Sequence, residues 1–206
     1  MGKIIVTSGG YLDGQRGENL DSLISDTCKG KKVLILSNAT ITGSNVKGVP
    51  NIKTNFEKLG CVVDVVCLTD DNVEQIHECD VVYITGGDMA PLGEMVTPKT
   101  KENLLKFLSN GGTVIGESAG SIILGEDFKW YYDVKKGTKP KYDIELPSYK
   151  GFGLVSFNIY PHWNKAKEDQ KSRVREYSKE HNIDIIEMLD GEWIEEIFLN
   201  NNINLI

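Results

Sequence analysis

Thr113-Val114-Ile115-Gly116-Glu117-Ser118-Ala119-Gly120-Ser121-Ile122-Ile123-Leu124 passes from a β-branched run, through small residues, into an apolar run that can start a helix. Its centre, Gly116 to Gly120, fits the G-x-S-x-G pattern of a strand-turn-helix elbow. A serine at such a turn sits at the carboxyl end of a strand and the amino end of a helix. That position lifts the hydroxyl out of the fold and aims backbone N–H groups at whatever it attacks. An ordinary strand-to-helix turn with an incidental serine fits the same five residues. The rest of the chain must therefore supply a base and an oxyanion site.

On the amino-terminal side, compact apolar runs predict strands at Lys3 to Thr7, Lys32 to Ser37, Cys61 to Leu68 and Asp80 to Thr85. Between them, apolar residues at helical spacing predict helices over Glu18 to Thr27, Ile52 to Leu59, Val73 to His77, Pro91 to Met95 and Thr100 to Ser109. The strands are apolar almost throughout, as parallel strands covered on both faces are. Regular alternation with short loops predicts an α/β fold: an open, mostly parallel sheet with helices on both faces and right-handed crossovers.

Beyond Leu124 the pattern changes. Gly125 to Lys150 carries Trp130-Tyr131-Tyr132 and several turn residues, and irregular or antiparallel structure is expected there. Gly153 to Ile159 alternates like a strand, and Asn164 to His181 reads as a solvated helix. Asp184 to Met188 and Trp193 to Leu199 read as a closing pair of strands, with Asn200 to Ile206 as a last edge strand.

The composition bounds the rest. With 206 residues, 40% hydrophobic and 26% charged, the chain is neither disordered nor membrane-like, and it is read as one domain over 1–206. No apolar run approaches the roughly 20 residues that span a bilayer. Met1 to Ser8 enters a strand without the apolar core of a signal peptide, so a cytoplasmic protein without membrane partners is expected. A net charge of −7 argues against non-specific nucleic-acid binding. Cys28, Cys61, Cys67 and Cys79 form no C-x-x-C pair and read as free thiols of a reducing compartment.

A serine nucleophile needs a base, and there are three histidines. His77 precedes the fourth strand, at the end of the sheet away from the elbow. His181 closes a charged helix, where a histidine meets the helix dipole. His162 directly follows a strand, between Pro161 and Trp163, where reactive groups of α/β sheets gather. It is the expected base. The acid that orients it is Asp190, in a turn after a strand, with Glu192, Asp133, Asp143 and Glu145 as rivals. Oxyanion donors are expected from the N–H of Ala119, next after the serine, and from Gly87 in Gly86-Gly87-Asp88.

Gly86-Gly87-Asp88, Gly116-Glu117-Ser118-Ala119-Gly120-Ser121, Gly153-Leu154-Val155 leading to Pro161-His162, and Leu189-Asp190-Gly191 together resemble peptidase family S51, which includes aspartyl dipeptidase and cyanophycinase. The resemblance covers nearly the whole chain. It implies a fold similar to class I glutamine amidotransferases (flavodoxin-like), no metal or organic cofactor, and a small peptide as substrate. It also implies Ser118 as nucleophile, His162 as base, Gly87 and Ala119 as oxyanion donors, and either Asp190 or Asp143 as the acid. Two departures bear on specificity. Asp88 stands where the aspartyl dipeptidases carry Asn, and Glu168-Asp169-Gln170-Lys171 stands where they carry Gly-Glu-x-Arg, with Arg173 and Arg175 nearby. Two other readings stay open: an α/β-hydrolase-type esterase, and a non-catalytic binding protein that keeps the fold. Monomer and homodimer are both compatible with the sequence.

Overall fold

The computed structural model describes residues 1–11, 18–40, 48–135 and 142–199. The strands are β1 (Gly2–Thr7), β2 (Lys32–Leu36), β3 (Val62–Val66), β4 (Val81–Ile84), β5 (Thr113–Glu117), β6 (Asn158–Tyr160), β7 (Ile185–Glu187) and β8 (Trp193–Phe198). The main sheet runs β3-β2-β4-β5-β1-β8, open at both ends. β1 to β5 are mutually parallel, and β8 lies antiparallel to β1.

Successive strand residues point to opposite faces, and both faces are covered. On one face Ile5, Val33, Ile35, Tyr83 and Ile115 pack under α1 (Glu18–Cys28) and α2 (Val49–Lys58). On the other, Ile4, Val6, Leu34, Leu36, Val82, Ile84 and Val114 share a core with α3 (Met89–Glu94), α4 (Pro98–Ser109) and α5 (Ala119–Ile122). α6 (Lys129–Val134) and α7 (Glu168–His181) extend that second layer. No helix of the described residues is long and apolar enough to cross a membrane.

The second half departs from expectation in three places. The strand read over Gly153 to Ile159 reduces to Asn158–Tyr160. Phe152 N–H instead bonds to Ile123 O, Gly153 N–H to Gly125 O, and both Leu154 and Val155 N–H to Leu124 O. The segment thus wraps the end of α5 and forms no ladder there. The two closing strands do not pair with each other: β7 lies parallel to β6 in a separate two-stranded sheet, while β8 borders β1. A β7-β8 hairpin would leave the outer edge of buried β1 without hydrogen-bond partners, and β8 supplies them. Within Gly125 to Lys150, Trp130-Tyr131-Tyr132 lies in α6. Asp127 Oδ1 accepts from Lys129 N–H at 2.7 Å at its start, and Lys129 reaches Asp133 one turn on. The edge strand read at Asn200 to Ile206 lies outside the described residues.

α5 is a single turn pressed onto the ends of two strands. A Cβ on Gly120 would lie 2.3 Å from the Ile84 carbonyl oxygen, and one on Gly116 would lie 2.7 Å from both Gly120 O and Ser121 Cα. The glycines of the elbow are therefore packing requirements. Gly120→Ala is expected to cost about 1–3 kcal/mol of stability by overpacking. The check is a lowered urea midpoint at unchanged slope; a wild-type midpoint would contradict this packing.

Candidate active site

The carboxyl ends of β1, β4, β5, β6 and β7 bring the candidate residues together. Ser118 follows β5 with φ 50° and ψ −110°, a conformation that costs a non-glycine residue energy and persists only where neighbours hold it. Its N–H donates to Thr7 O at 3.0 Å, and its carbonyl accepts from Ser121 and Ile122 N–H. Ser121 Oγ in turn donates to Thr7 O and accepts from Thr7 N–H, both at 2.9 Å. The elbow is thus pinned to the end of β1.

His162 follows β6 and is left-handed at φ 58°, ψ 36°. Its Nε2 lies 3.0 Å from Ser118 Oγ, and its Nδ1 lies 2.5 Å from Asp190 Oδ1. Asp190 sits in the turn between β7 and β8, where Gly191 takes φ 88°. The other carboxylate oxygen accepts from Lys165 Nζ at 2.7 Å and from Asn164 Nδ2 at 3.3 Å. Asp190 N–H donates back to Asn164 Oδ1 at 3.1 Å. Burial alone would raise the Asp190 carboxyl, but hydrogen bonds from Lys165, His162 and Asn164 outweigh it and hold it below its ordinary value of 3.8.

The rival residues are engaged elsewhere. Glu192 Oε2 accepts from Leu189 N–H at 2.6 Å, closing the turn that carries Asp190. Asp133 takes Lys129 and the Tyr177 hydroxyl, and Asp143 and Glu145 are exposed. His77 bonds to Asn103 on α4, and His181 stacks on Tyr177 with ring centroids 4.0 Å apart. Chain order in the bonded group is Ser, His, Asp. That is not the order of an α/β-hydrolase, in which the acid precedes the histidine.

Ala119 occupies the first position of α5, where an N–H has no carbonyl one turn back to bond. Gly87, after β4, is exposed, with φ 148°; a Cβ there would meet Ala39 O at 2.7 Å. Gly86 lies against Ser118: a Cβ on it would come 3.0 Å from Ser118 Cβ. Beside the serine is a cleft of about 150 Å³ lined by Tyr131, Lys135, Tyr160, His162, Lys165 and Gln170, among others. A larger hollow of about 550 Å³, lined by Asn38, Cys67, Asp70 and Glu94 among others, includes none of Ser118, His162 and Asp190. Lys135 Nζ donates to the Tyr131 hydroxyl at 2.5 Å, and burial lowers its pKa. The arginines near the departed motif do not line the cleft. Arg173 Nε donates to Val134 O, and Arg175 makes a two-pronged pair with Glu187 at 2.6 and 2.8 Å. Asp88 caps α3, accepting from Ala90 N–H at 2.9 Å.

Sequence reasoning missed Ser8. Its buried hydroxyl accepts from His162 N–H at 2.8 Å and donates to Met188 O at 3.0 Å, joining the loop of the base to the end of β7. Its place at the carboxyl end of the first strand was the available signal. Ser8→Ala leaves the His162 N–H without its partner, while Met188 O keeps the Trp163 N–H, and is expected to cost about 1–3 kcal/mol, read by urea unfolding. Lys165 and Asn164 were missed as well, because both fall within Asn164 to His181, read as a solvated helix; the helix starts only at Glu168, and the two lie in the turn before it.

Comparison with known proteins gives a consistent neighbourhood. The model of peptidase family S51 matches residues 4–201. Peptidase E of Streptomyces coelicolor A3(2) is 25% identical over 132 residues, 60% of this chain and 51% of the relative. Peptidase E of Nostoc sp. PCC 7120 is 27% identical over 137 residues, 66% of this chain and 54% of the relative. The chain thus spans about half the length of the curated relatives it matches. Among solved structures, a protein from Listeria monocytogenes EGD-e described as a candidate peptidase E superposes with TM-score 0.72 at 22% identity, covering 97% of this chain and 100% of that one. A peptidase from an acI-B1 actinobacterium gives TM-score 0.70 at 17% identity, with 95% and 83% covered. These two likenesses bear on the fold, an open and mostly parallel sheet with helices on both faces.

Proposed function

We propose, on the premise that the chain belongs to peptidase family S51, that it is a serine peptidase hydrolysing small peptides. The observation that carries this reading is His162, which bonds through one nitrogen to Ser118 and through the other to Asp190.

In this mechanism Ser118 Oγ attacks the substrate carbonyl carbon as its proton passes to His162 Nε2. The carbonyl oxygen takes up negative charge between the N–H groups of Gly87 and Ala119. Asp190 accepts from Nδ1–H, fixing the tautomer that leaves Nε2 free to accept, and stabilises the imidazolium that forms. The tetrahedral intermediate collapses with cleavage of the C–N bond, and the proton on Nε2 goes to the leaving amine. A water then attacks the acyl-enzyme ester while His162 takes its proton. Collapse releases the carboxylic acid and returns the proton to Ser118 Oγ.

The cleft beside the nucleophile, about 150 Å³, can receive a side chain of the substrate. The cations it presents are Lys135 and Lys165. The test is a dipeptide library with simple esters alongside, run on wild type, Ser118→Ala and His162→Ala. Peptide hydrolysis by wild type, lost in both variants, is the expected result. Unchanged turnover in the variants contradicts the mechanism, and turnover of esters alone moves the reading to an esterase.

A further inference from the structure

We propose that Asn164 is a positioning residue: its side-chain amide grips Asp190 at both the backbone N–H and the carboxylate, and so holds Asp190 Oδ1 against His162. The proposal rests on the serine-peptidase reading, in which Asp190 is the acid of the triad.

A carboxylate that bonds through one oxygen alone can still swing about its side-chain torsions. The role of Asp190 needs one oxygen kept on Nδ1–H, because that bond sets the tautomer of the base. The turn that carries Asp190 does not supply this restraint. Its internal bonds run from Glu192 N–H to Leu189 O at 3.0 Å and from Leu189 N–H to Glu192 Oε2 at 2.6 Å, and both pass Asp190 by. Among the described residues, the bonds to the N–H and carboxylate of Asp190 come from His162, Asn164 and Lys165, all in the loop of the base. Of these three side chains, Asn164 alone takes hold at two points. Its Oδ1 accepts from Asp190 N–H at 3.1 Å, and its Nδ2 donates to Asp190 Oδ2 at 3.3 Å. The pair of bonds also fixes which way the amide faces. Reversed, it would set an oxygen against the carboxylate and an NH₂ against an N–H.

The fold delivers Asn164 to this place. His162 is left-handed, and the chain passes at once into a short 3₁₀ turn, Trp163–Lys165, with Lys165 N–H bonded to His162 O at 2.8 Å. Trp163 is buried, and its N–H donates to Met188 O at 2.9 Å. The turn is thus fastened to the end of β7, just ahead of the acid. Asn164 and Lys165 differ in what else they meet. Lys165 lines the cleft beside Ser118, and Asn164 does not. Loss of Lys165 would mix substrate binding with alignment of the acid, whereas loss of Asn164 reports on alignment. Asn164 is also exposed, so its truncation opens no cavity in the core.

The test is Asn164→Ala, made in wild type and in Asp190→Ala. In wild type, kcat on the best-cleaved dipeptide is expected to fall about 10- to 100-fold, the cost of a misplaced catalytic group, with KM within about threefold. In Asp190→Ala the same change is expected to cost less than about twofold, because Asn164 acts through the side chain already removed. Asn164→Asp keeps an acceptor for Asp190 N–H but sets a second carboxylate against Oδ2, and is expected to lose at least as much as Asn164→Ala. A second readout needs no substrate. The proton between His162 Nδ1 and Asp190 is expected to give a far-downfield magnetic resonance signal in wild type, which moves upfield or broadens away in Asn164→Ala. A role limited to stability would move the urea midpoint and leave this signal in place. If Asn164→Ala does not fold, Asn164→Ser takes its place with the same expectations. A folded variant with wild-type kcat, an unchanged downfield signal, or an equal loss with and without the Asp190 carboxylate overturns the proposal. If wild type hydrolyses nothing, the peptidase reading fails, and the downfield signal alone decides whether Asn164 aligns Asp190.

Discussion

Ser118→Ala is expected to lower kcat for peptide hydrolysis by on the order of 10⁶-fold, with His162→Ala nearly as severe and the double variant little worse than either. The non-additivity follows from the geometry. Ser118 Oγ and His162 Nε2 share one hydrogen bond of 3.0 Å and act as a unit. Without the hydroxyl the base has nothing to deprotonate; without the base the hydroxyl is a weak nucleophile near neutral pH. The fold should barely notice the first change, since the structural bonds of this residue run through its backbone N–H and carbonyl. The measurement is single-turnover kinetics on a reactive dipeptide amide, with urea unfolding as the control. Multiplicative losses in the double variant would mean that serine and histidine work independently.

Asp190→Asn is expected to cost about 10⁴-fold in kcat while leaving KM nearly unchanged. An amide in that position can donate to Nδ1 and so favour the tautomer with the proton on Nε2, the wrong nitrogen for a base facing Ser118. The same substitution separates Asp190 from its rivals. Asp143→Asn is expected to change nothing, because Asp143 is exposed. Glu192→Gln is expected to keep activity within a few-fold, because glutamine retains an oxygen for Leu189 N–H. The pH dependence has a definite sign. Asp190 is held below its ordinary value in the folded protein, so its bonds stabilise the fold above the unfolded value of about 3.9 and lose that contribution as pH falls through the folded value. Stability curves of wild type and Asp190→Asn should therefore converge only below about pH 4. A difference that stays constant as pH falls through about 4 would contradict the assignment.

Much of the site was legible because its chemistry is local. Gly116 to Gly120 announces a tight turn, and a strand before it with a helix after it fixes which end of the sheet it occupies. Pro161-His162 and Asp190-Gly191 were found by the same reasoning, as reactive types just past strands. The first five strands were legible because each is mostly apolar; β2, β4 and β5 are covered on both faces, while β3 at the sheet edge carries Asp64 on an exposed position. Pairing in the second half was not. Trp193 to Phe198 carries the same alternation whether it pairs with β7 or with β1, and only the open edge of β1 decides between them. Gly153 to Phe157 alternates as a strand does, yet the Gly153, Leu154 and Val155 amides are taken by the carbonyls of Leu124 and Gly125 just after α5. Ser8, Asn164 and Lys165 act through partners 154, 26 and 25 positions away, the first at His162 and the other two at Asp190. Apart from the place of Ser8 at the end of the first strand, nothing in their immediate sequence signals such contacts.

The central claim is that Ser118 is a nucleophile activated by His162, and covalent labelling addresses it most directly. A fluorophosphonate reacts with an activated serine and reads the nucleophile without knowledge of the substrate. The account predicts one adduct per chain by intact mass, mapped to Ser118 by peptide sequencing, absent in Ser118→Ala and strongly slowed in His162→Ala. A folded wild-type protein that takes no label, or takes it at another residue, would contradict it.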